Sequence, residues 1–144
     1  MAGAKGAAAA RTACSVRRGL DIVAARLAAT MRTEEDLASL QEAMERRTAA
    51  GRAGDLDTFT DADVDFHLRI AEASHNPLLS DLYRNMSDAL RETVKANQCI
   101  DEAGDDPFHT ALYEAVHAGD PAAATAAALA ILDDYAAEET EEGE

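Results

Sequence analysis

Tryptophan is absent from these 144 residues, and Phe and Tyr number only three each. Glycine and proline are also scarce, at eight and three. Nowhere does the chain alternate apolar and polar residues as a half-buried strand does. No stretch approaches the roughly 18 consecutive apolar residues of a membrane span. The two cysteines, Cys14 and Cys99, form no CxxC pair and no metal-ligand spacing, so reduced thiols are expected. Positive charge is short as well. Thirteen Lys and Arg face 28 Asp and Glu, a net charge of -15, which argues against nucleic-acid binding by this chain alone. Motifs of catalysis are missing too: there is no GxSxG, GxGxxG, Walker loop or HExxH. A non-enzymatic role is the expectation. The opening MAGAKGAAAARTACS lacks the Leu-, Ile- or Val-rich centre of a signal peptide, and a cytoplasmic location is expected.

What is present is alanine. It supplies much of the 47% hydrophobic content, and with so few aromatics it points to closely packed helices in one domain. Residues 1–14 read as a flexible lead-in or linker remnant, 15–136 as the helical domain, and 137–144 as an acidic disordered tail. A first helix is expected from about Ser15, with Val16, Leu20, Val23, Leu27 and Met31 as its apolar stripe and Arg17 and Asp21 one turn apart beside it. Thr33 and Asp36 form a weak capping box for a second helix, which runs through Leu37, Leu40 and Met44 to about Ala50. Its charged face, with Glu34, Glu35, Glu42, Glu45, Arg46 and Arg47, reads as solvated. Asp55 caps a third helix ending near Ser74, and His75-Asn76-Pro77 marks a turn. Leu78, Leu82, Met86, Leu90 and Val94 form a four-residue ladder on a fourth helix. After a polar loop at 100–106, Asp106-Pro107 and Asp120-Pro121 each open a further helix, the first of them ended by Gly119.

The third helix poses the functional question. Leu56, Phe59, Phe66, Ile70 and Ala73 share one face, and Asp63 and His67 fall on the same stripe, four residues apart. Ionisable groups on a core-facing stripe are costly unless paired, hydrogen-bonded or bound to a metal. A carboxylate and an imidazole at this spacing are half of a common metal site, or else a hydrogen-bonded helix pair. His109 is a second imidazole beside an apolar stripe, open to the same two readings. His75 reads as a turn residue and His117 as a surface residue near a helix C-terminus.

The run DVDFHLRIAEASHNPLL resembles the D-x-x-F-H-x-x-I-A-E-A-S-x-N-P-L-L stretch of the FCD domain, the C-terminal effector-binding domain of FadR-type regulators in the GntR family. VRRGLDIVAARLAA is similar to that family's opening helix, and FHTALYEAVHAGDPAAATAAA to its H-x-x-I-x-x-A-I-x-x-G-D segment. The three pieces lie in register over roughly residues 15–135. The resemblance implies an all-α antiparallel bundle of six to seven helices with an internal pocket for a small organic acid, and a homodimer. It implies a divalent metal held by one Asp and three His, of which Asp63, His67 and His109 occupy three places. Ile131 stands where the third His is expected and cannot ligate. Zinc or nickel suits the remaining nitrogen and oxygen donors. Arg17 matches the Arg of the family's first helix, and could meet a ligand carboxylate or simply pair with Asp21. Asn76 matches the Asn after the third helix, a ligand contact or a helix-end hydrogen bond. DNA would be reached only through a winged helix-turn-helix domain that these residues do not supply. A structural dimerisation module and, with less support, a metalloenzyme are the alternatives.

Overall fold

The computed structural model describes the backbone of residues 4–97 and 107–141 and the side chains of residues 15–92 and 107–133. Among the described residues all regular structure is helical: α1 (Ala4–Met31), α2 (Glu34–Ala53), α3 (Leu56–Ala73), α4 (Pro77–Asn85), α5 (Ser87–Asn97), α6 (Pro107–Ala118) and α7 (Pro121–Glu141). The expected all-α bundle is thus observed. Two ends differ from expectation. α1 starts at Ala4 rather than near Ser15, because residues 4–14 are rich in the best helix former. α7 continues to Glu141, into the stretch read as an acidic tail. Cys99, the polar loop at 100–106, and the outermost residues of the lead-in and tail lie outside the described residues.

α1 and α3 form the centre. α1 packs on α3, α5, α6 and α7, while α3 packs on α1, α2, α4 and α5. The α1–α7 contact is made through alanines: Ala24, Ala25, Ala28 and Ala29 face a core that includes Ala124, Ala127 and Ala128. Side chains this small let helix axes approach closely and leave little room between them. The consequence overturns the expected stripe on α1. Val16, Val23 and Met31 are exposed, Leu20 and Leu27 only partly buried, and the buried face carries the alanines with Arg17 and Asp21.

The expected ladder on the fourth helix is also corrected. It is broken at Met86, whose N–H is shared between the carbonyls of Leu82 and Tyr83 at 3.2 Å each. Leu78 and Leu82 are 69% and 43% exposed, and the buried face of α4 is Leu79 and Tyr83 instead. The break ends one short amphipathic helix and lets α5 bury Leu90 on its own register.

The helix ends follow their sequence signals. Thr33 and Asp36 close a reciprocal capping box on α2, and Asp55 accepts from the Thr58 N–H at the start of α3. His75, in the left-handed region at φ 54°, turns the chain out of α3, and its Nε2 lies 2.6 Å from Asp36 Oδ2. Arg32, in the α1–α2 connection, donates to the carbonyls of Val116 and His117 at 2.9 Å each, satisfying the open C-terminus of α6. Gly119 sits directly against it at φ 71°. A Cβ there would meet Arg32 Nη2 at 3.2 Å.

Two glycine substitutions should therefore move stability in opposite directions. Gly119→Ala is expected to destabilise the fold by about 1–2 kcal/mol through left-handed strain, with more from displacing Arg32. Gly19→Ala, on an exposed helical position with nothing within 4 Å of the added carbon, should stabilise by about 0.5–1 kcal/mol. Urea denaturation of both variants checks the pair.

Candidate functional site

Asp63 is completely buried at the middle of α3, and three helices supply the groups around it. From α2, Arg47 Nε donates to Asp63 Oδ1 at 2.7 Å. From α6, His109 Nε2 lies 3.1 Å from the same oxygen. From α3 itself, His67 Nε2 is 4.0 Å from that oxygen and 3.2 Å from His109 Nε2. All of these side chains are buried. Phe66, fully buried, wedges the two imidazoles, its ring 5.4 Å from His67 edge-on and 5.6 Å from His109. The structure thus brings together the three residues singled out as ligands in the sequence.

Arg47 was expected on the solvated face of α2, and this is corrected. It is 5% exposed, and its guanidinium stacks 4.6 Å above the Phe59 ring. Phe59 lies one turn before Asp63 on the same face of α3, so ring and carboxylate hold the guanidinium between them. The signal was available: Leu37, Leu40, Met44 and Arg47 follow one another by three, four and three.

Burial pushes the Asp63 carboxyl upward, but the hydrogen bond from His109 and the positive charges around it prevail and hold it well below the usual carboxylate range. An ionised carboxylate only accepts, so His109 Nε2 carries the hydrogen on that side. Burial, followed by the charge of nearby Arg17, pulls His67 down to about 3. His67 is neutral at physiological pH, with its Nε2 aimed at the other donors. Asp63 Oδ2 and, one turn earlier, Thr60 Oγ1 are buried and have no hydrogen-bond partner among the described residues.

A second polar node lies on the α1 side. Arg17 Nε donates to Asp21 Oδ2 at 2.9 Å, and the Tyr83 hydroxyl from α4 donates to Asp21 Oδ1. Burial, reinforced by the Asp21 charge, raises the Tyr83 hydroxyl well above its ordinary value. The Arg17–Asp21 pair is 3% and 6% exposed at its side chains, so it is an interior ion pair and not a surface one. Asn76 is different. It is exposed, and its Oδ1 accepts from the Leu79 N–H as the cap of α4. Nine residues beyond His67, it lies on the order of 13 Å further along the helix direction. It borders a surface groove with Glu72, His75, Pro77, Ser80, Asp81 and Arg84. His117 is exposed in the last turn of α6, as expected.

The donor set fits a metal ion. Asp63, His67 and His109 each offer one ligand atom, all within 4.8 Å of one another. Zinc bonded at about 2.0–2.1 Å separates tetrahedral ligands by about 3.3 Å, close to two of the three observed spacings. The 4.0 Å spacing between His67 Nε2 and Asp63 Oδ1 is wider than that.

A family model, the FCD domain, matches residues 12–134. The chain belongs to the FCD family. Its relatives include the HTH-type transcriptional regulator LutR of Bacillus subtilis, 38% identical over 81% of this chain and 56% of that protein. The galactonate operon transcriptional repressor of Escherichia coli is 31% identical over 81% of this chain and 52% of its own length. A putative L-lactate dehydrogenase operon regulatory protein of E. coli is 38% identical over 54% of this chain and 33% of its own. The FCD chain spans about half the length of the first two. These relatives carry the names of regulators, in keeping with the expected non-enzymatic role. No helix among the described residues is long and apolar enough to cross a membrane. On α7 of this FCD domain, Ile131 is 2% exposed and part of the apolar core.

The depressed His67 sets a pH dependence. Between its folded value of about 3 and its ordinary 6.5, the unfolded chain binds a proton that the native state refuses. Stability is therefore lost as pH falls below about 6.5, and Asp63 adds to the loss below its ordinary 3.8. In chelator-treated protein the thermal midpoint should fall from pH 7 to pH 4.5, and His67→Gln should flatten that slope.

Proposed function

We propose that this FCD domain is the effector-sensing and dimerising part of a metabolite-responsive transcription regulator, and that its effector is a small organic acid bound in a pocket inside the bundle. The observation that carries this reading is a buried cluster of charge, Asp63 with Arg47, His67 and His109, set in an alanine-rich core. Such a cluster is a costly way to stabilise a bundle, since an apolar set of the same volume usually does as well or better. Arg17, 3% exposed and close enough to lower the proton affinity of His67, is a fitting partner for a ligand carboxylate. Two relatives are named for galactonate and for L-lactate dehydrogenase, and galactonate and lactate are both hydroxy carboxylates. That class of acid heads the ligands to be tried.

In this reading a divalent ion would be held by Asp63, His67 and His109, with zinc or nickel suited to one oxygen and two nitrogen donors. Bound there, it supplies a Lewis-acidic anchor for the acid's carboxylate and hydroxyl oxygens. Arg17 adds a second positive contact, and Phe66 keeps both imidazoles turned to the site. DNA would be contacted by a winged helix-turn-helix domain joined to this one.

The exposed stripe of α1 supports the homodimer. Val16, Leu20, Val23, Leu27 and Met31 recur by four, three, four and four, the spacing of a helix–helix seam, and three of the five are exposed. A purely structural dimerisation module remains the second reading, favoured by the direct pairing of Asp63 with Arg47.

Thermal unfolding against a panel of 2-hydroxy, dicarboxylic and sugar acids, each with and without zinc or nickel, tests the sensor. An acid at a hundred times its dissociation constant contributes about 2.7 kcal/mol, which for a chain of this size raises the midpoint on the order of 10 °C. The shift should vanish in Arg17→Met. A panel in which no acid moves the midpoint would leave the structural module as the better account. For the dimer, Val23→Glu should convert the particle to a monomer in sedimentation velocity while its helical circular dichroism is retained.

A further inference from the structure

The oxygen best placed to ligate an ion is already held by a cation. Asp63 Oδ1 faces His109 Nε2 at 3.1 Å and His67 Nε2 at 4.0 Å, and the same atom accepts from Arg47 Nε at 2.7 Å. Arg47 is not a loose surface side chain that drifts over the site. It comes from a different helix, is 5% exposed, and is clamped between the Phe59 ring and the carboxylate. A guanidinium stays charged at any pH the protein meets. An ion bound to Asp63 Oδ1 would therefore share one oxygen with a fixed positive charge, in an interior where screening is weak.

We propose that Arg47 competes with divalent metal for Asp63. It keeps the affinity of the Asp63–His67–His109 site low and must leave that carboxylate before an ion is held by all three residues. This rests on the reading of the three residues as a metal site. Arg47 serves as a resident counter-ion in the metal-free state, giving the domain a stable form that does not need the metal. Removing it has two coupled consequences. Asp63 loses its charged partner and becomes a buried carboxylate in want of a cation, and a divalent ion gains the whole carboxylate.

Zinc binding measured by competition with a chromogenic chelator, together with thermal unfolding with and without zinc, tests this on the whole chain. Arg47→Met and Arg47→Gln should each bind zinc at least about tenfold more tightly than the unaltered chain. Arg47→Lys, which keeps the charge, should stay within about threefold of it. Arg47→Met should unfold at a lower temperature than the unaltered chain without zinc and recover most of the difference with it. Adding His67→Ala to Arg47→Met should abolish the gain, tying the effect to this site. If Arg47→Met fails to fold without metal, Arg47→Gln carries the comparison, because its amide can still donate to Asp63.

Equal zinc affinity in the unaltered chain, Arg47→Met and Arg47→Gln would overturn the competition while leaving the metal site itself standing. That result would mean Asp63 offers the ion its other oxygen, Oδ2, and keeps Arg47 on Oδ1. No zinc binding by any of these proteins would remove the metal reading and the competition together.

Discussion

One buried carboxylate governs the assembly of this bundle. Asp63 has no exposed surface, and an ionised carboxyl taken out of water costs several kcal/mol unless its charge is met inside. Here it is met by Arg47 from α2 and His109 from α6, two helices on either side of α3 in the chain. Losing either partner leaves the charge less well met, so the cluster ties the docking of α2 and α6 to α3. The buried remainder of these helices is largely apolar, built of Leu, Val, Ala and Phe, with further ion pairs such as Arg46–Asp65 and Arg69–Glu42 at the edge of the α2–α3 contact. The polar cluster supplies directional requirements that such packing lacks.

Alanine sets the scale on which this happens. The α1–α7 interface is made of small residues, and helices packed that closely bury polar side chains along with the alanines. Arg17 and Asp21 lie on the buried face of α1 for this reason, and the Tyr83 hydroxyl completes their node from α4. The two nodes are electrostatically joined. The charge of Arg17 helps keep His67 neutral, and the Asp21 and Asp63 carboxylates pull the other way. His67 thus stays neutral because burial, Arg17 and His109 outweigh the two carboxylates.

Asp63, His67 and His109 were legible in the sequence because each sits on a stripe of large apolar residues, where an ionisable group is conspicuous. Arg47 was not, since Glu45 and Arg46 precede it and a run of charges looks like a wet surface. Only the three-four-three step from Leu37 sets it apart. The stripe on α1 misled for the opposite reason. Val16, Val23 and Met31 outrank alanine in hydrophobicity, yet the alanine face is the one buried, because close packing selects for size as well as polarity. On α4, Leu78 and Leu82 form a cleaner ladder than Leu79 and Tyr83, but the Tyr83 hydroxyl has a buried carboxylate to reach, which fixes the rotation of that helix. Ile131, read from sequence as a departure, belongs to the core.

The misreadings on α1 and α4 meet at one polar node, which matters for the proposed sensing role. The Tyr83 hydroxyl turns one face of α4 inward, and on α1 the Arg17–Asp21 pair lies on the same face that alanine packing buries. One side of α1 holds Arg17 near His67, and the other side presents its aliphatic residues outward. A ligand shifts a bundle between arrangements only as far as it binds them unequally. A carboxylate drawn to Arg17 would compete with Asp21, and Asp21 is also the acceptor for Tyr83. Weakening that node loosens α1 and α4 together, and these are the helices that carry Val16, Val23, Met31, Leu78 and Leu82 on the surface. The polar node between α1 and α4 is thus also the point at which an acid could change how their apolar sides are presented.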